Sequence, residues 1–185
     1  VAAELMKAGT KHQNNDTRRI APMLSIYVLL AIVVGSNWHT AYAQIPVSSH
    51  QSPDSLLTAT NPKLASNKRL VYDFYRIVLR GGQIESAEKF LSKDYIQHNP
   101  NIPTGRDALV KYLKSRQPKS HKPKPVPKTL DDVVAIVAEG DLVVISFVSR
   151  KQEMDLEYTT TWFDMFRIKD GLIVEHWDNA LRSSP

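Results

Sequence analysis

Leu70, Val71, Phe74, Ile77 and Val78 recur three and four residues apart, the spacing of one face of an α-helix. Asn61-Pro62 stands ahead of them as a capping residue followed by a proline suited to a first helical turn, and Gly81-Gly82 marks the end. A short second helix is predicted over Ile84–Phe90, and a third from Gly105 through Leu113 with Ala108, Leu109, Tyr112 and Leu113 on its apolar side. After the proline-rich stretch Pro118–Pro127 the pattern changes to apolar runs separated by tight turns. Val133–Val137, the turn Glu139-Gly140-Asp141 and Leu142–Val148 read as a hairpin. A longer strand is expected from Leu156 to Ile168, the turn Lys169-Asp170-Gly171 follows, and Leu172–Asn179 is the last strand.

Helices first and antiparallel strands second predict an α+β fold rather than a doubly wound sheet. Three helices cannot cover both faces of a four-stranded curved sheet. The sheet is therefore expected to wrap around them and leave a pocket between the layers.

The chain has 185 residues and a formal net charge of +5, and 42% of it is hydrophobic. It has no cysteine, which excludes disulfides, thiolate catalysis and cysteine zinc sites. The excess of positive charge sits in the first 20 residues and in Arg116–Lys128, without a long basic helix or zinc-finger spacing. It reads as a solvated tail and loop, not as a nucleic-acid surface. That loop, with Lys119, His121, Lys122 and Lys124, is expected to form an exposed flap near the pocket mouth that attracts anionic ligands.

Residues 18–43 have the order of a secretory signal: Arg18-Arg19, an apolar run Met23–Val34, and Ala41-Tyr42-Ala43 as the cleavage site. The apolar run is much shorter than the roughly 20 residues a membrane span needs. The expectation is a mature chain beginning at Gln44, secreted or periplasmic, with no membrane partner after cleavage. Residues 1–17 form an N-terminal extension, and a start at Met6 or Met23 would remove part or all of it. The Ser-, Pro-, Thr- and Gln-rich residues 44–61 read as a flexible spacer, and 62–185 as the folded domain.

Three groups carry candidate chemistry: Tyr95–Pro100, where a helix is expected to give way to a loop; Asp164 on the long strand; and Glu175–Asp178 at the end of the last strand. Strand alternation places Leu172, Val174, His176 and Asp178 on one face and Glu175 and Trp177 on the other. An imidazole and a carboxylate two residues apart on one face can share a proton and form a general base, and equally can be a solvated pair at a strand end. His98 beside Asn-Pro either serves the pocket or fixes a turn. His98, His176, Asp178 and Asp164 could form a metal set, but no HxxxH or HxH spacing supports one, and no metal is expected.

Tyr95-Ile96-Gln97-His98-Asn99-Pro100, then Gly105–Leu109, Glu139-Gly140-Asp141, Phe166-Arg167 and Asp170–Asp178 together resemble the SnoaL-like family, relatives of polyketide cyclases within the nuclear transport factor 2-like superfamily. The resemblance spans roughly residues 64–182. It implies a cone-shaped α+β half-barrel that needs no metal or organic cofactor, and a homodimer as the assembly the family often adopts. It also implies aldol-type chemistry, in which a carboxylate removes a proton next to a carbonyl. Carried over by motif, that carboxylate is Asp178, with His176 and His98 as its partners. Asn99, Tyr95, Trp162 and Asp164 are expected to line the pocket. The functional expectation is an exported, cofactor-free enzyme of cyclase or isomerase type acting on a small molecule. Its alternatives are a non-catalytic small-ligand-binding protein of the same fold and an assembly module with a filled cavity. The two-carboxylate, one-arginine pattern of the related epoxide hydrolases is missing from Leu142–Arg150.

Overall fold

A computed structural model describes residues 44–118 and 125–183. The expected signal segment and Lys119, His121, Lys122 and Lys124 lie outside the described residues. The folded unit is Ile45–Pro185. No helix among the described residues is long and apolar enough to cross a membrane.

Helix α1 covers Pro62–Asp73 and passes without a break into wider, π-type turns over Phe74–Arg80. Asn61 caps it: its side-chain oxygen accepts from the Lys63 backbone N–H at 2.9 Å. Gly81 closes it, because a Cβ there would meet the carbonyl oxygens of Ile77 and Arg76 at 2.7 and 2.8 Å. A 3₁₀ segment spans Ile84–Lys89, and α2 spans Arg106–Arg116.

The strands are β1 (Leu91–Gln97), β2 (Val133–Glu139), β3 (Leu142–Glu153), β4 (Leu156–Lys169) and β5 (Leu172–Asp178). The sheet order is β1-β5-β4-β3-β2. The four expected strands are β2–β5, joined antiparallel as neighbours. The fifth, β1, runs parallel to β5 at the end of the order. The fold is thus a mixed, five-stranded, curved open sheet with helices, of the α+β class. Strand β1 replaces the helix-to-loop passage expected at Tyr95. Its sequence, LSKDYIQ, lacks clean apolar alternation, and its place comes from pairing with β5.

Asp170 and Gly171 join β4 to β5 with φ of 51° and 76°, the paired left-handed geometry that twists two strands together. Phe74, Tyr75 and Val78 on the helix pack into one core with Phe147, Phe166 and Ile173 of the sheet. Tyr75 lies over Phe147 with ring centres 4.6 Å apart.

One correction concerns β5. Ile173 and His176 are its buried residues, whereas Leu172 and Val174 are only half-buried. The register explains this: Ile168 pairs with Ile173 but Arg167 with Glu175, so Val174 is an extra residue in a bulge. The inner face is therefore Ile173, His176 and Asp178, and the expected floor of Leu172 and Val174 turns outward.

Candidate active site

Between the helices and the sheet lies a cavity of about 230 Å³. Phe74, Leu79, Leu109, Leu113 and Phe166 give it an apolar wall, and Tyr75, Tyr95, Gln97, Asn99, Asp164, His176 and Asp178 bring polar groups to it. Trp162 and Ile102 complete the lining. Of the residues named from sequence, Tyr95, Asn99, Trp162, Asp164, His176 and Asp178 are brought together here.

His98 is not among them. The ladder continues past β1, since the His98 N–H donates to the His176 carbonyl at 3.0 Å. Alternation then points Gln97 and Asn99 inward and His98 outward. On that outer face the His98 ring stacks on Trp177, with ring centres 5.1 Å apart, and its Nε2 lies 2.9 Å from Glu175. Arg167 bridges Glu175 and Asp141 at 3.0 and 2.9 Å. The Glu175 carboxyl is held below its ordinary value, chiefly by the hydrogen bond from His98 and further by Arg167.

The inner network fixes where protons sit. Gln97 Oε1 accepts the Asn99 backbone N–H at 2.9 Å, and Gln97 Nε2 donates to the Tyr95 hydroxyl at 3.0 Å. Because that oxygen is an acceptor, His176 Nδ1, 2.8 Å away, carries a proton and donates it. His176 Nε2 then faces Asp164 Oδ1 at 2.8 Å, and one proton is shared across that contact. His176 thus pairs with Asp164 rather than with Asp178, its neighbour on β5. The contact is the cross-strand diagonal, since Asp164 stands opposite Asp178 and Phe166 opposite His176.

Asp178 is held by two donors, Asn99 Nδ2 on Oδ2 at 2.6 Å and the Ala180 N–H on Oδ1 at 3.0 Å. The Asn99 amide cannot turn over, because its oxygen accepts the Asn101 N–H at 2.8 Å. The second oxygen of Asp164, Oδ2, is buried and has no close hydrogen-bond partner. An unpartnered acceptor of this kind costs roughly 1–3 kcal/mol, more when charged. Tyr75 lies beside Asp164, and its phenol is raised well above the ordinary range, first by burial and then by the charge of that carboxylate and a hydrogen bond toward it. The Tyr95 phenol is raised by burial and by Asp164 and Asp178. Both hydroxyls therefore stay protonated and serve as donors at the cavity wall.

Atoms of Asp164, His176 and Asp178 all lie within 4.8 Å of one another, close enough to suit a cation. Both ring nitrogens of His176 and both oxygens of Asp178 already have hydrogen-bond partners, and within the set only Asp164 Oδ2 lacks a close one.

Gln97 and Tyr75 belong to this site and were not singled out from sequence. Tyr75 carries a hydroxyl on the buried helix stripe beside Phe74 and Val78, a signal that was readable. Gln97 shares a face with Tyr95 only once β1 is known to be a strand.

Over residues 71–176 the chain matches the family model of the SnoaL-like domain. No curated protein matches it. Among solved structures it is similar to a proposed polyketide cyclase from Acidithiobacillus ferrooxidans, at 18% identity over 65% of this chain and 89% of that one, with a TM-score of 0.44. It is also similar to wild-type IdmH, a proposed polyketide cyclase from Streptomyces antibioticus (23% identity, 60% and 89% covered, TM-score 0.41). A third is an LEH-like epoxide hydrolase from M. tuberculosis (17% identity, 63% and 84% covered, TM-score 0.44).

Proposed function

Since this chain belongs to the SnoaL-like domain family, we propose that it binds a small carbonyl compound in the cavity and removes a proton from the carbon next to the carbonyl. The observation that carries this reading is Asp164 in the cavity wall, a buried carboxylate whose Oδ1 is held by His176, whose Oδ2 has no close hydrogen-bond partner, and toward which the Tyr75 hydroxyl is turned. It is the acceptor for the proton. The C–H electron pair becomes the C=C bond of an enolate, and the carbonyl pair moves onto oxygen. Tyr95, whose hydroxyl already accepts from Gln97, donates its own O–H to that oxygen. The enolate then regains the proton from Asp164 at another carbon of the conjugated system, giving an isomer, or attacks a second carbonyl of the same molecule in an aldol ring closure whose new alkoxide takes the proton back from Asp164.

Asp178, the carboxylate the sequence motif favoured, is the second acceptor of the site, oriented by Asn99 and Ala180. His176 positions Asp164 and shares its proton. Every group in this scheme comes from the chain itself. The basic, apolar and Ala-Tyr-Ala order of residues 18–43 supports a working place outside the cytoplasm.

The test is exchange of solvent deuterium into a panel of ketones and β-diketones by wild type and Asp164→Asn. Exchange by the wild type and its loss in the variant support the enzyme. A wild type that binds these compounds without exchange would make it a binding protein of the same fold.

A further inference from the structure

A second, more open cavity of about 380 Å³ adjoins the first. Tyr75, Leu79, Trp162 and Asp164 line both, so the two cavities meet at these four side chains, and a ligand that spans them would occupy them as one channel. The outer half adds Arg80, Phe147 and Ser149. Arg80 is built into place. One of its nitrogens donates to Asp132 at 2.7 Å, and its guanidinium lies over the Phe147 ring at 5.7 Å. That arrangement uses one edge of a five-donor group. No hydrogen bond engages Nε or the other terminal nitrogen among the described residues.

The channel therefore has a direction. Asp178 lies on the inner side only, Asp164 stands where the two halves meet, and the outer side alone holds Arg80, a half-exposed guanidinium that is paired with Asp132 and still has donors to spare. An anionic tail is repelled from the inner end and drawn to the outer one, which turns the rest of the molecule inward. Arginine suits a carboxylate best, through paired N–H donors.

We infer that the ligand is an oxo acid: its carboxylate docks on Arg80 at the outer half of the channel while the carbon next to its ketone lies at Asp164. The assignment of the inner end rests on the proposed role of Asp164, whereas the docking of the carboxylate stands on Arg80 alone.

The experiment is an NMR titration of the protein with 4-oxopentanoate and with its methyl ester, which lacks the charge and carries one more methyl group, alongside deuterium exchange. Wild type, Arg80→Gln, Arg80→Lys and Asp164→Asn are compared at low and high salt. Wild type should bind the acid about 10-fold tighter than the ester, as a charge-assisted pair implies. Arg80→Gln should erase that preference, Arg80→Lys should keep part of it, and salt should shrink it because Arg80 is half-exposed. Asp164→Asn should keep the preference and lose exchange. Equal binding of acid and ester by wild type, or a preference that survives in Arg80→Gln, overturns the inference. A preference that depends on Arg80 in a protein that exchanges no deuterium upholds the docking site and overturns the proposed base.

Discussion

Asp164 and Asp178 stand directly opposite one another on β4 and β5. Like charges in that position are destabilising, and the chain surrounds them with compensation. His176 brings a shared proton to Asp164, and Asn99 and the Ala180 N–H hold Asp178. A pair that works against folding, with one buried oxygen of Asp164 still lacking a close partner, points to use.

Asp164→Asn should separate function from stability. The amide keeps the shape, and relief of the repulsion offsets the lost charged contact with His176, so the melting temperature should change little. Loss of a general base should cost about 10²–10⁴ in rate. The check is thermal melting beside deuterium exchange on the same preparation.

Asp178→Asn should do the reverse. It loses charge-assisted bonds from Asn99 and Ala180, a loss of roughly 1.5–3 kcal/mol of stability, and exchange should fall less than in Asp164→Asn. If Asp178→Asn proves the more damaging to exchange at unchanged melting temperature, Asp178 takes over as the base.

Tyr95→Phe removes the donor to the enolate oxygen and leaves Gln97 Nε2 without its acceptor. Turnover should fall about 10²–10³, the usual loss for one oxyanion donor, with little change in ligand affinity. Comparison of kcat with KM reads the difference.

The outer pair His98–Glu175 sets an acid limit on stability. Glu175 titrates below its ordinary value of 4.5 in the folded state, so the unfolded chain takes up its proton first. The stabilisation is present above that ordinary value and is lost as pH falls through the folded one. Melting temperatures of wild type and Glu175→Gln should converge on acidification. A constant gap across the acid range would exclude this contact as the cause.

On the proposed export, N-terminal sequencing of protein recovered outside the cytoplasm should find Gln44 first. A mature chain that still carries Met23–Val34 would refute cleavage.

The elements were legible where the signal is local. The stripe from Val71 to Val78 and the Asn61 cap need only neighbouring residues, and the Asp170-Gly171 turn carries its own left-handed geometry. The α+β class, the pocket and six of the residues around it followed from those elements and from the family motif. Strand β1 escaped because its residues are mostly polar, and only pairing with β5 makes them a strand. With β1 in place, alternation would have turned Gln97 inward and His98 outward.

The sequence by itself determined which chemical groups the site draws on, among them two aspartates, a histidine and two tyrosines, carried on strands and a helix whose periodicities are mostly written locally. The tertiary structure alone decided which of them meet. A single extra residue at Val174 brings Ile173 inside and sends Leu172 outward. The β4–β5 register sets Asp164 against Asp178 and hands His176 to Asp164. Such choices depend on how two strands slide past each other, and a shift of one residue reverses every side chain. No short window of sequence contains that distance.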